Sequence, residues 1–162
     1  LVRGANVMKG YLGDPEATAK VIHGGWYTTG DIAHVDNDGF IFITGRLSRF
    51  SKIGGEMVPH GRVEEAIHEI LGDSPNGELR AVVTSVPDER KGERLIVVHT
   101  ELDITPQEIC KRLQSAGLPN LWIPGTDSFL QVEAIPVLGS GKTDLKAAAD
   151  VAKQHFTNGS AG

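Results

Sequence analysis

Leu79-Arg80-Ala81-Val82-Val83-Thr84-Ser85-Val86 and Leu95-Ile96-Val97-Val98-His99-Thr100 are two β-branched runs separated by the polar stretch Pro87 to Glu93. Branched side chains pack well on a pleated surface, so the two runs predict neighbouring strands of a small sheet. Upstream, Val63, Ala66, Ile67, Ile70 and Leu71 recur at helical spacing. Downstream, Thr105-Pro106-Gln107-Glu108 offers a capping hydroxyl, a proline in the first turn and a carboxylate near the positive end of a helix, which predicts a helix through Leu113. Ser128-Phe129-Leu130-Gln131-Val132 predicts a further strand, and Leu145 to Phe156 a last helix. Alternating helix and strand of this kind predicts a compact α+β domain over residues 47–156, a short sheet flanked by helices in a three-layer-like arrangement. Residues 157–162 are small and polar and are expected to form a flexible tail.

Residues 1–46 have a different character. Ile32-Ala33-His34-Val35 and Phe40-Ile41-Phe42-Ile43-Thr44 flank Asp36-Asn37-Asp38-Gly39, and Asp-Gly between apolar runs signals a hairpin whose turn needs positive φ. Asp14-Pro15-Glu16 ahead of Ala17-Thr18-Ala19 reads as a short capped helix with proline at its first position. These elements carry little apolar mass of their own. They are expected to be the β-rich end of a larger neighbouring domain, and an opening on Leu1-Val2-Arg3-Gly4 without methionine suggests a piece of a longer protein.

The composition narrows the classes of function. The chain has 162 residues, a formal charge of -5 and no lysine- or arginine-rich block, which argues against a nucleic-acid partner held by bulk electrostatics. Cys110 is the single cysteine, so no intrachain disulfide can form, and a cytosolic setting is the default expectation. No apolar run approaches the roughly 20 residues that cross a bilayer. The histidines show no i,i+4 pair and no cysteine partners, so no metal site is expected.

The chemistry concentrates in three stretches. Tyr27-Thr28-Thr29-Gly30-Asp31 puts a carboxylate after a glycine at a strand end; an ordinary turn aspartate reads equally well from these five residues alone. Gly45-Arg46-Leu47-Ser48-Arg49-Phe50-Ser51-Lys52-Ile53-Gly54-Gly55-Glu56-Met57 joins the two regions and ends in a glycine pair, which by itself reads as a plain turn between short strands. Gly139-Ser140-Gly141-Lys142-Thr143-Asp144 places a lysine on a glycine-rich turn. Its close imitates a P-loop, but that motif requires glycine five residues before Gly141, where Pro136 stands.

Taken in order, these stretches resemble the core motifs of the adenylate-forming enzymes, a superfamily that includes acyl-CoA synthetases, luciferases and peptide-synthetase adenylation domains. Val2-Arg3-Gly4 through Gly10-Tyr11-Leu12 looks like the sixth motif, Tyr27 to Asp31 the seventh, Gly45 to Gly55 the eighth and Pro136 to Lys142 the tenth. Arg49 to Val58 together with Pro136 to Lys142 resembles more closely the acyl-[acyl-carrier-protein] synthetase part of bacterial bifunctional 2-acylglycerophosphoethanolamine acyltransferases. The chain would lie at the C-terminus of such a protein.

The resemblance implies a role for each residue. Asp31 would accept hydrogen bonds from ribose hydroxyls, and the Arg46 fork would reach ribose or phosphate oxygens. Lys142 would be catalytic, stabilising charge that develops on the α-phosphate and acyl carboxylate. Ser48, where the family commonly has aspartate or lysine, would mark the hinge, and Gly54 and Gly55 would gate the tunnel for a phosphopantetheine thiol. Pro59, His60 and Arg62 depart from the family pattern beyond the gate and receive no catalytic role.

The implied reaction uses ATP and Mg2+ to activate a fatty acid as acyl-AMP. The acyl group would pass to acyl carrier protein or coenzyme A and, through a fused acyltransferase, to a lysophospholipid. The parent would work at the cytoplasmic face of the bacterial inner membrane. Arg80, Arg90, Lys91, Arg94, Lys111 and Arg112 are candidate surface cations for an acidic carrier. A noncatalytic carrier- or nucleotide-binding module is the alternative of a different class, and a P-loop NTPase a third.

Overall fold

The computed structural model describes residues 1–74 and 77–158. The chain divides into two compact units, Leu1–Ser48 and Arg49–Gly162.

The first unit is built from short pieces. Helix α1, Pro15–Val21, is capped by Asp14, whose Oδ1 accepts the Ala17 N–H at 2.8 Å. Strands β1, Ile22–His23, and β2, Trp26–Tyr27, form a small antiparallel pair, and Val2 bridges to Tyr27. Strands β3, Asp31–Val35, and β4, Ile41–Arg46, form the hairpin that Asp-Gly announced. Asp36 organises its turn by accepting the N–H groups of Asp38 and Phe40 through Oδ1, at 3.0 and 2.9 Å, and Gly39 supplies the positive φ of +87°. Thr44 is the extra residue of a bulge opposite Ile32 and Ala33, and its hydroxyl donates to the Ile32 carbonyl at 3.1 Å. Val35, Phe40, Ile41 and Ile43 are each more than 60% exposed, so the hairpin does not bury its own apolar faces.

The second unit has three layers. Its sheet consists of β5, Phe50–Ile53, β6, Glu56–Pro59, β7, Ala81–Asp88, β8, Gly92–His99, and β9, Phe129–Gln131. The order is β6-β5-β8-β7, with β9 running parallel to β8 beyond β5. Helices α2, His60–Leu71, and α3, Pro106–Ser115, cover one face, where Val63, Ile67, Ile109 and Leu113 pack on Val83, Leu95 and Val97. Helix α4, Leu145–Asn158, covers the other, with Ala148 and Ala152 against Val82, Ile96 and Val98. Burial on both faces explains why β7 and β8 read as nearly continuous apolar runs instead of alternating ones. Of the expected tail 157–162, residues 157 and 158 continue α4 and the rest lie outside the described residues.

One boundary differs from the sequence expectation. The stretch Pro87 to Glu93, read as a polar connection, is mostly strand: Pro87 pairs with Glu93 and Asp88 with Gly92. Local hydrogen bonding overrides composition here. The Asp88 carboxylate accepts the N–H groups of Arg90 and Lys91 at 3.0 and 2.9 Å, which tightens the turn to three residues, and Gly92 leaves it at φ +82°. Proline is tolerated because β7 lies at the sheet edge.

Candidate functional site

In the first unit the structure brings Asp31 and Arg46 together. They face each other across the β3–β4 ladder, and Arg46 Nε lies 3.1 Å from Asp31 Oδ1. Gly30, at φ +74°, turns the chain into β3, and its carbonyl accepts the Leu47 N–H at 2.8 Å. The hairpin therefore fixes the carboxylate at one end of the unit. Arg46 is largely exposed and Asp31 partly so, and an ion pair of that kind is worth about 1 kcal/mol or less. Hydroxyl donors can compete for the carboxylate, and anionic oxygens for the guanidinium, at little cost.

Lys142 belongs to the second unit and stands exposed on the loop before α4. The loop closes on itself. Val137 bridges to Thr143, the Leu138 N–H donates to the Lys142 carbonyl at 2.7 Å, and the Gly141 N–H donates to the Leu138 carbonyl at 2.8 Å. Gly141 makes the turn at φ +80°. Two backbone donors that a P-loop would aim at phosphate are thus spent inside the loop, which removes the P-loop reading. Asp144 then caps α4, its Oδ1 accepting the Ala147 N–H at 2.9 Å, so the ammonium is carried on a short rigid mount.

Gly54 and Gly55, at φ +58° and +89°, form the two-residue turn of the β5–β6 hairpin. The Gly54 N–H donates to the Lys91 carbonyl at 2.8 Å, which sets this turn beside the β7–β8 turn. Trp122 Nε1 donates to Glu56 Oε1 at 2.9 Å on its other flank. Ser48 is exposed at the middle of a 3-10 turn, Leu47–Arg49, that spans the junction of the two units. Among the candidate surface cations, Arg80 is paired with Asp103, Arg94 with Asp127 and Arg112 with Glu108. Arg90 and Lys91 stand exposed on the β7–β8 turn.

No protein-family model matches the chain. Feruloyl-CoA synthase of Amycolatopsis is 39% identical over 145 residues, which cover 88% of this chain and 28% of that protein. Among solved structures, the amide bond synthetase McbA of Marinactinospora thermotolerans matches with a TM-score of 0.66 at 31% identity, over 93% of this chain and 32% of that one. The o-succinylbenzoate CoA synthetase MenE of Bacillus subtilis, solved with its acyl-adenylate intermediate, matches with a TM-score of 0.69 at 25% identity, over 87% of this chain and 28% of that one. The fold is that of the C-terminal domain of adenylate-forming enzymes. The relatives are acyl-CoA ligases of that superfamily, and the chain spans roughly a quarter of the length of the curated ones it matches.

A polar cluster lies at the start of the second unit. Arg49, the first residue after the junction, forms an ion pair with Glu64 of α2 and donates to the Val83 carbonyl at 2.9 Å. Glu64 in turn accepts the Val83 N–H at 2.6 Å. Both side chains are mostly buried, and removal of one partner from such a pair costs about 3–5 kcal/mol. Nearby, His60 Nε2 lies 2.6 Å from the hydroxyl of Ser51, and both residues are buried. The signal for His60 was present in the sequence: it extends the buried stripe of α2 backwards from Val63 and Ile67 by one helical turn.

Burial, helped by the Arg49 guanidinium and opposed by the Glu93 carboxylate, lowers the His60 pKa from 6.5 to about 4. Unfolded His60 takes up its proton near pH 6.5 and folded His60 only near pH 4, so between these values the unfolded state binds more protons. Its contribution disfavours the fold progressively as pH falls through that window, reaching roughly 3 kcal/mol below both values. Urea unfolding should therefore show wild type losing about 2 kcal/mol more than His60→Gln between pH 7 and pH 5. Parallel stability profiles would contradict the assignment of a neutral buried imidazole.

Proposed function

We propose that the chain is the C-terminal portion of an ATP-dependent, AMP-forming acid–thiol ligase, carrying the lid and the last strands of the large domain, residues 47–156 and 1–46. One observation carries this reading. The Gly54-Gly55 turn sits at the Gly92 end of β8, while the Lys142 loop follows β9 past its His99 end. Eight residues of strand separate these ends by roughly 20 Å. A lid of this size cannot hold both against one reacting carboxyl carbon at once. Lys142 serves the step in which the acid attacks the α-phosphate, and the glycine turn serves the step in which a thiol displaces AMP, with reorientation about Ser48 between them.

The residues present fit a nucleotide in part. Asp31 and Arg46 suit the ribose hydroxyls and neighbouring oxygens, and Lys142 suits the α-phosphate and acyl carboxylate. Among the described residues no three His, Cys, Asp or Glu side chains are grouped to hold a metal. The acid is a fatty acid in this reading. Its chain-length pocket and the triphosphate loop belong upstream.

In the complete ligase, Lys142→Ala should lower acid-dependent ATP–pyrophosphate exchange by a hundredfold or more, in line with loss of one preorganised charge donor. Thiolysis of preformed acyl-AMP should change little in the same variant. The 162-residue chain alone should give no exchange above background. Equal loss of both half-reactions in the variant, or exchange by the chain alone, would contradict the division of labour.

The finer reading concerns the acceptor. Arg49 to Val58 and Pro136 to Lys142 support an acyl carrier protein as the thiol donor, with a fused acyltransferase passing the acyl group to a lysophospholipid at the inner membrane. The names of the curated relatives support coenzyme A instead. Among the described residues no helix is long and apolar enough to cross a membrane. Competition assays with equal concentrations of holo-carrier and coenzyme A should show acyl transfer to the carrier at least tenfold faster; a preference for coenzyme A would leave the ligase reading intact and remove the carrier.

A further inference from the structure

The β5–β6 hairpin is tied to the rest of the sheet by few ladder pairs. Its strands pair with each other over four positions, but β5 meets β8 at a single pair, Ile53 with Gly92. Where the next ladder bond would form, the Lys52 N–H instead donates to the Glu93 carboxylate at 2.7 Å, and Glu93 also accepts the Ser85 hydroxyl at 2.9 Å. The hairpin is an arm held by the Gly54–Lys91 backbone bond, by the buried Ile53 and Val58, and by a clasp of side chains. Its far base is a corner in which β6 ends at Pro59 and α2 begins at His60, with no side chain capping the helix. Such a corner would ordinarily be free to flex.

The bond that closes this corner is the one between Ser51 Oγ and His60 Nε2, at 2.6 Å. Ser51 is fully buried and His60 is 4% exposed, so water does not compete for either group. Both belong to the buried side of their elements: Ser51 alternates with Ile53 along β5, and His60 heads the stripe of Val63 and Ile67. The bond therefore joins the strand that leads to the glycine turn to the helix packed on the core, across the strand that returns from it.

We infer that Ser51 and His60 are a positioning pair that sets the angle of the hairpin arm and so aims the Gly54-Gly55 turn at the incoming thiol. The inference rests on the ligase reading. The pair touches no reacting atom; its burial excludes a nucleophilic role for Ser51. It acts on the second half-reaction alone, because the Lys142 loop hangs from the opposite end of β8. Loss of the bond frees the base of the arm while the Gly54–Lys91 bond and the buried Ile53 and Val58 still hold its body, so the turn shifts rather than detaches, and a displacement of about 1 Å at a positioning element can cost a hundredfold in rate.

The test uses Ser51→Ala, His60→Phe and His60→Gln in the complete ligase. Thiolysis of preformed acyl-AMP should fall at least tenfold in Ser51→Ala and His60→Phe, through kcat and not through KM for the acid or ATP. Pyrophosphate exchange should remain within twofold of wild type, and His60→Gln, which keeps a polar partner for Ser51, should recover most of the lost rate. In the 162-residue chain, amide hydrogen exchange at Gly54 should accelerate at least tenfold in Ser51→Ala while α3 and β8 stay protected, a readout independent of any activity. Unchanged thiolysis and unchanged Gly54 exchange would overturn the inference, as would equal loss of both half-reactions. A complete wild-type protein without pyrophosphate exchange would defeat the ligase reading instead, while the exchange arm would still judge the clasp.

Discussion

Strand β8 carries three ladders at once, and the second unit depends on it. One edge pairs along its whole length with β7; the other pairs with β5 at Gly92 and with β9 from Val97 to His99. Its alternate residues enter two cores, Leu95 and Val97 beneath α2 and α3, and Ile96 and Val98 beneath α4. A shift by one residue would exchange those sets and strand both helical layers. The glycine turn of β5–β6 lies beside the Gly92 end of β8, and β9 runs out past its His99 end.

The two ends are built differently. The Lys142 loop is closed by its own backbone and anchored by the Asp144 cap. The hairpin arm is held by Glu93, by the Arg49–Glu64 pair and by Ser51 with His60. Arg49 begins the second unit, so the residue that follows the Ser48 turn is itself locked to α2 and β7.

Much of this was legible in the sequence because periodicity and caps report local physics. The α2 stripe, the Thr105 and Asp14 caps, the Asp36–Gly39 turn and the paired apolar runs all appear as read. The β7–β8 turn was misjudged because Pro87 and Glu93 look like loop residues, whereas the Asp88 side chain tightens the turn beneath them. For the site, Asp31 and Arg46 meet across a register that the motif order alone could not supply. The buried Ser51–His60 pair escaped notice because polar residue types conceal burial unless the helical stripe is traced back to them.

The proposed function assigns Asp31 and Lys142 to one nucleotide of a larger ligase. Calorimetric titration with a nonhydrolysable acyl-adenylate analogue tests it most directly. Tight binding by the complete protein, weakened by Asp31→Ala, is expected, with no measurable binding by the 162-residue chain. Binding by the chain alone with the affinity of the complete protein would contradict it.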